Sequence, residues 1–460
     1  MAVGRVGLRR AVAGGGKMRL LPLIAATYFM VSGGPYGLED VIGMAGYVRA
    51  LLLLLVIPVV WSLPTSLMVG ELAAAIPEEG GYYRWVRRAM GEFWGFQEAW
   101  LSLAASVFDM AIYPTIFVLY MGRMEPAWTA GYRGTAWALG VVVVCMAWNL
   151  LGARAVGEGS VGLFCVLLSP FVVLTAVGLW KGLMGAHGLA GMGGSGMGGG
   201  LVGTGLPRAD WAGAVSVTLW NYMGWDNAST VAQEVEEPQR NYPRAMLLAT
   251  GLVALTYVLP LAAVGLAGIP AARFSTGAWV DAARELAGPW LAVCVVLGGM
   301  INGGGMFNAL MMSYTRVPYA LAEEGMLPEV MERKNRWGVP WVSLAVCSVG
   351  WALALRLSFE RLISIDLVLY GAALMLEFVA LVVLRVKEPE LARPFKVPGG
   401  VLGAVGMGVG PGGLIAFALW AARGERVAGL PALEFAGIVA AAGPVVYLAA
   451  RMVRRGRFAS

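Results

Sequence analysis

The chain has 460 residues, is 58% hydrophobic and only 13% charged, so it lacks the charge needed to cover the surface of a soluble domain. Its apolar runs are long and continuous rather than short and alternating, which excludes a membrane β-barrel and leaves a bundle of membrane-spanning helices. The net charge of +6 calls for no nucleic-acid partner, because the basic residues fall where they anchor membrane topology.

An N-terminal stretch with Arg5, Arg9, Arg10, Lys17 and Arg19 leads into a first apolar run. That run is too long for a signal-peptide core and has no small-residue cleavage site, so it reads as a span. At about 20 residues per crossing the chain accommodates about twelve spans. They are placed at 20–45, 48–75, 94–121, 134–152, 158–182, 211–235, 244–268, 279–314, 340–357, 361–386, 401–421 and 432–452. The expected fold class is therefore an all-α membrane protein. Roughly two thirds of the 34 lysines and arginines fall on the side that holds both termini, which the positive-inside rule makes cytoplasmic. The expected location is the plasma (cell inner) membrane, with the bilayer as a partner. The glycine-rich stretch 185–205 reads as a flexible outer loop, and the single histidine, His187, as a loop residue. Cys145, Cys165, Cys294 and Cys347 lie inside apolar runs without CxxC spacing, which suits neither a disulfide nor a metal site.

Two spans contain residues that a membrane helix tolerates poorly. In the first, Ser32-Gly33-Gly34-Pro35-Tyr36-Gly37 lowers helix propensity and removes a backbone donor. In the sixth, Met223-Gly224-Trp225-Asp226-Asn227 puts a glycine, an acid and an amide in mid-membrane. Non-helical backbone at that depth survives only where it lines a cavity or is buried in protein. Packing glycines are the plainer reading, but Pro35 and Asp226 go beyond it. Spans one and six also hold corresponding places in two five-span halves, at 20–182 and 211–386, with 401–452 supplying two further helices. A matched pair of broken helices points to an inverted-repeat transporter with its substrate site at the midplane.

Acids inside a membrane are costly and are functional candidates by default. Here they are Glu39 and Asp40 after the first break, Glu71, Asp109, Asp226 and Glu377, with Glu98 a weaker member. No lysine or arginine lies at the same depth by this reading, so these acids need protons, a bound cation or helix N-termini. Several carboxylates around one cavity suit a di- or polyamine. Blander roles exist: Glu71 capping or pairing near the inner end of span two, and Asp40 capping the second half of span one. Glu377 reaches Arg385, two turns on, only by leaving the span interior. Asp109 and Tyr113 share a helix face at i,i+4 spacing. Of the aromatics near these acids, Tyr36 and Trp225 lie inside the breaks, where they could stack on an ammonium group.

The segments Val31-Ser32-Gly33-Gly34-Pro35-Tyr36-Gly37-Leu38-Glu39-Asp40, Ile76-Pro77-Glu78-Glu79-Gly80-Gly81-Tyr82 and Phe108-Asp109-Met110-Ala111-Ile112-Tyr113-Pro114 form a recognisable set. With Trp225-Asp226-Asn227-Ala228-Ser229-Thr230, Glu234-Val235-Glu236-Glu237-Pro238, Glu324-Gly325-Met326-Leu327-Pro328 and Arg393-Pro394-Phe395-Lys396-Val397-Pro398, the chain resembles the amino acid–polyamine–organocation superfamily. Within it the similarity is to the plant-type polyamine uptake transporters and their bacterial relatives, over about residues 20 to 400. The resemblance implies a LeuT-type fold of two inverted five-helix repeats plus two helices, working by alternating access. It also implies connecting helices and gates at 77–93, 235–244 and 316–340. Substrate contacts carry over to Gly33, Gly34, Tyr36, Asp109, Trp225 and Asp226. Some relatives carry a lysine in span five, where this chain offers only Ser160 and Ser169.

The expected function is secondary active import of a small organic cation such as a polyamine, with amino-acid transport as the alternative. Candidate substrate-binding residues are Gly33, Gly34, Tyr36, Glu39, Asp109, Tyr113, Trp225, Asp226 and Glu377. No metal-ligand cluster, Ser/His/Asp set or phosphate-binding loop is present, so neither an enzyme nor a cofactor is expected. The one coupling ion expected is a proton.

Overall fold

The computed structural model describes residues 16–184, 209–355, 359–424, 426–427 and 430–459. The glycine-rich stretch 185–205 and His187 lie outside the described residues. Each of the twelve expected spans corresponds to a helix or to a broken pair. Eight described helices are long and apolar enough to cross a membrane, and three further apolar helices are shorter.

The first span is α1 (Leu20–Val31), an irregular turn, and α2 (Glu39–Ala45). The second is α3 (Tyr47–Ile57) and α4 (Leu63–Ala75), joined through a wide π turn at Pro58–Ser62 that opens where proline removes a donor. Next come α5 (Gly81–Met90), α6 (Glu92–Met124), the short α7 (Pro126–Thr129), α8 (Tyr132–Asn149) and α9 (Ala153–Met184). The sixth span starts as α10 (Trp211–Trp220), breaks, and resumes as a tighter 3-10 helix, Asp226–Glu234. It is followed by α11 (Pro238–Leu266), α12 (Trp279–Ala287), α13 (Pro289–Tyr314), α14 (Arg316–Glu323), α15 (Trp341–Ala354), α16 (Phe359–Lys387), α17 (Gly400–Ala422) and α18 (Ala432–Ala459). Two two-residue strands, Arg426–Val427 and Leu430–Pro431, pair between the last two helices.

One expected span divides. Residues 279–314 form two helices, because Gly288 takes a φ of 92° and Pro289 then starts a new helix. The amphipathic α12 thus caps one end of the bundle, and α13 alone crosses it. At the other end α5 turns Tyr82, Trp85, Val86 and Ala89 inward and packs on α6 and α16. Its Arg84 meets Glu323 and Glu324 at 2.6 and 2.5 Å.

A second correction concerns Glu71. It does have basic partners, Arg385 of α16 and Arg393, and it also accepts the Val397 backbone N–H at 2.8 Å. Arg385 extends back across the helix end to Glu71 and also donates to the Val397 carbonyl at 3.0 Å. A buried carboxylate with two guanidinium groups and an amide donor is compensated. Glu71 therefore ties α4, α16 and the segment before α17 together.

Candidate substrate site

The two breaks meet. Gly224 has a φ of 94°, and a Cβ placed there would lie 2.4 Å from the Met30 carbonyl oxygen in the last turn of α1. Only glycine allows both that backbone conformation and that approach. On the other side, a Cβ on Gly33 would fall 1.5 Å from Asn302 Oδ1 of α13.

Backbone groups released by the breaks find partners in protein. In the first break Gly34 N–H donates to Ser32 Oγ at 3.1 Å and Gly37 N–H to Glu39 Oε2 at 2.6 Å. The Pro35 carbonyl accepts from Trp279 Nε1 at 2.8 Å. In the second, the Asn221 and Tyr222 carbonyls accept from the Tyr257 hydroxyl at 2.7 Å and Trp61 Nε1 at 3.1 Å. Gly224 N–H donates to the Tyr370 hydroxyl at 3.0 Å. These partners make irregular backbone tolerable inside the bundle.

A cavity lies where the breaks face α6, α13 and α16. Its walls include Gly33 and Tyr36 from the first break, Asn221, Met223, Gly224 and Asn227 from the second, and Trp220 from the end of α10. Asp109 and Tyr113 come from α6, Asn302 and Tyr314 from α13, and Asp366 and Tyr370 from α16. A water molecule's centre has only about 20 Å³ in which to move, so the walls are drawn together around the site. Tyr36 is held by its hydroxyl donating to the Val295 carbonyl at 2.6 Å and by edge contacts with Tyr120 and Phe171. Asp109 Oδ1 accepts from the Tyr113 hydroxyl at 2.6 Å, the i,i+4 pair anticipated from spacing. Asn302 Oδ1 is buried without a hydrogen-bond partner among the described residues. The wall carries two carboxylates, Asp109 and Asp366, and no lysine, arginine or histidine.

The candidate residues thus separate. Gly33, Tyr36, Asp109 and Tyr113 line the cavity, whereas Gly34, Glu39, Trp225, Asp226 and Glu377 are not part of its wall. Glu39, in the first turn of α2, accepts from the Tyr120 hydroxyl at 2.5 Å and from Gly277 N–H at 3.3 Å, while its neighbour Asp40 accepts from Thr276 at 2.8 Å. Asp226 sits one residue layer behind the wall, where its Oδ1 accepts from the Tyr370 hydroxyl. Trp225 is fully buried, with its indole N–H unpartnered among the described residues. Glu377 is fully buried and makes no hydrogen bond through either oxygen among the described residues.

Asp366 and Tyr370 were not among the candidates. The signal was available: Asp366, Tyr370 and Glu377 follow i, i+4, i+11 spacing, which is one face of a helix. An acid at Asp366 in an apolar run meets the criterion that selected Glu377.

A bundle of membrane-crossing helices, two of them broken around an acid-lined cavity, defines a multi-pass membrane transporter. The family profile described as amino acid permease matches residues 24–439, and the chain belongs to that family. It is 35% identical to the polyamine transporter PUT1 of Oryza sativa subsp. japonica, covering 87% of this chain and 73% of that protein. It is 34% identical to the polyamine transporter RMV1 of Arabidopsis thaliana, covering 87% and 79%. It is 24% identical to the serine/threonine exchanger SteT of Bacillus subtilis, covering 73% and 75%. These relatives are transporters, not enzymes.

Proposed function

We propose that the chain is a secondary active transporter that imports a small organic cation of the polyamine class by alternating access, coupled to protons. The observation that carries this reading is the cavity wall, with two carboxylates and no basic side chain. Uncompensated carboxylates in a low-dielectric site attract cations, and an α-carboxylate ligand would be repelled there. Asp109 and Asp366 take the ammonium groups, the unpartnered Asn302 oxygen accepts a further N–H, and Tyr36 and Tyr314 supply ring faces. The two plant relatives are polyamine transporters, in agreement with this assignment. Residues 20–182 and 211–386 act as inverted repeats around the site, with 401–452 outside them. The end of the bundle that carries α5 and both termini faces the cytoplasm.

Amino-acid transport is the second reading, favoured by the relationship to the serine/threonine exchanger. Uptake into proteoliposomes separates the two. Labelled putrescine and spermidine should enter, faster with an imposed inward proton gradient, and unlabelled serine should not compete. Uptake of serine with polyamines excluded would replace the first reading by the second.

A further inference from the structure

Glu98 and Glu377 form a second group of acids that the substrate site leaves unexplained. Glu98 lies eleven residues before Asp109 on α6, and Glu377 eleven after Asp366 on α16, about three turns in each case. The two helices run in opposite directions and pack on each other, so each acid is displaced from the cavity toward the α5 end. Both are fully buried. Glu98 Oε1 accepts from Ser102 Oγ at 2.7 Å, but among the described residues Glu98 Oε2 and both oxygens of Glu377 have no hydrogen-bond partner.

Tyr82 supplies the independent observation. It opens α5, which packs on both helices, and its hydroxyl is fully buried with no hydrogen-bond partner among the described residues. An O–H donor and two carboxyl groups are thus buried on three helices, α5, α6 and α16, that pack on one another.

Two bare carboxylates in such a place would each cost several kcal/mol, and their mutual repulsion would add to it. The charged groups on the neighbouring elements do not relieve them. Arg385, two turns further along α16, is committed to Glu71 of α4, and Arg84 and Arg87 of α5 to Glu323 and Glu324. Arg454 of α18 is paired with Glu92, and α10 and α17 contain no charged residue. A compensating cation must come from outside. The wall of the substrate cavity includes none of Tyr82, Glu98 and Glu377, so an ammonium group held in that cavity does not touch them, whereas a proton needs no cavity.

We propose that Glu98 and Glu377, with Tyr82 as donor, form a proton-binding site separate from the substrate acids and linked to them through Asp226 and Tyr370. The proposal rests on the proton-coupled transport reading above. The link is physical: Tyr370 lines the cavity, donates to Asp226, and follows Asp366 by one turn on the face that leads to Glu377. A proton taken from water converts one carboxylate of the pair into a donor for its neighbour.

The variants E98Q and E377Q keep side-chain size and remove the ionisable group. In proteoliposomes, E98Q should retain substrate counterflow, which needs no net driving force and reports an intact fold. It should lose at least tenfold of the accumulation that an imposed pH gradient drives. Infrared difference spectra of substrate-free protein between neutral and alkaline pH should show a protonated-carboxyl C=O band in the wild type that is weakened in each variant. Wild-type accumulation by both variants would overturn the proposal, as would a wild type whose accumulation ignores the gradient. If the wild type accumulates serine rather than a polyamine on that gradient, the substrate reading fails, while E98Q still decides the proton site by the same comparison.

Discussion

Asp366 shows how much one buried carboxylate decides. It stands on the cavity wall opposite Asp109 and is 2% exposed, with neither lysine nor arginine on that wall. D366N keeps the shape and removes the charge, so polyamine uptake should fall tenfold or more while the protein still purifies as a folded species. Tyr370 acts through two bonds, accepting from Gly224 N–H and donating to Asp226. Y370F leaves both groups buried without that partner, a loss of about 1–3 kcal/mol for each. Transport should slow and thermal stability should drop, as read by uptake and by unfolding in detergent. Asp109 and Tyr113 could be paired from i,i+4 spacing alone. Whether Glu39 and Glu377 reach the cavity could not be read that way, because an interrupted helix resets its own rotation and Glu377, on the Asp366 face of α16, lies about three turns away from it.

At the scale of elements, the breaks were the most legible part of the fold. Gly33, Gly34, Pro35, Gly224 and Asp226 contradict the apolar runs around them, and the structure interrupts both helices there. What satisfies those breaks was hidden, since Trp279, Trp61, Tyr257 and Tyr370 reach them from distant parts of the chain. The Glu71–Arg385 pair, 314 positions apart, was equally illegible, and Arg385 reads in sequence as a topology anchor. Removing one partner of a buried ion pair costs about 3–5 kcal/mol, because the other is left uncompensated. E71Q should therefore lower the unfolding temperature far more than R88A, whose side chain meets Glu388 at an exposed end of the bundle. Equal shifts would contradict the role of Glu71 as a tie between α4, α16 and the segment before α17. G33A should abolish uptake, because its methyl group would occupy the place of the Asn302 amide.

Ion pairs tie elements together at both ends of the bundle. At the α5 end Lys334 holds Glu79 at 2.7 Å and Arg316 holds Glu234 at 2.9 Å. At the other, Arg123 pairs with Asp281, and Trp279 holds the first break. Burial raises Glu79 above its ordinary value of 4.5 despite the nearby Lys334 ammonium. The folded protein thus binds that proton more tightly than the unfolded chain does, so the contribution of Glu79 to stability falls as pH rises through and above 4.5. E79Q should flatten the dependence of unfolding temperature on pH across that acid range, and an unchanged slope would show that Glu79 is not the group responsible. The twelve-span outline was readable because apolar length follows bilayer thickness. The division of 279–314 was not, since a glycine–proline step inside an apolar run also suits a kinked helix.

The central claim is that acids on the cavity wall hold a cation. Calorimetric titration of spermidine into purified wild type, D109N and D366N at one pH tests it most directly. Wild type should bind, each variant should lose at least tenfold in affinity, and serine should give no heat with any of the three. Unchanged spermidine affinity in both variants would contradict the claim.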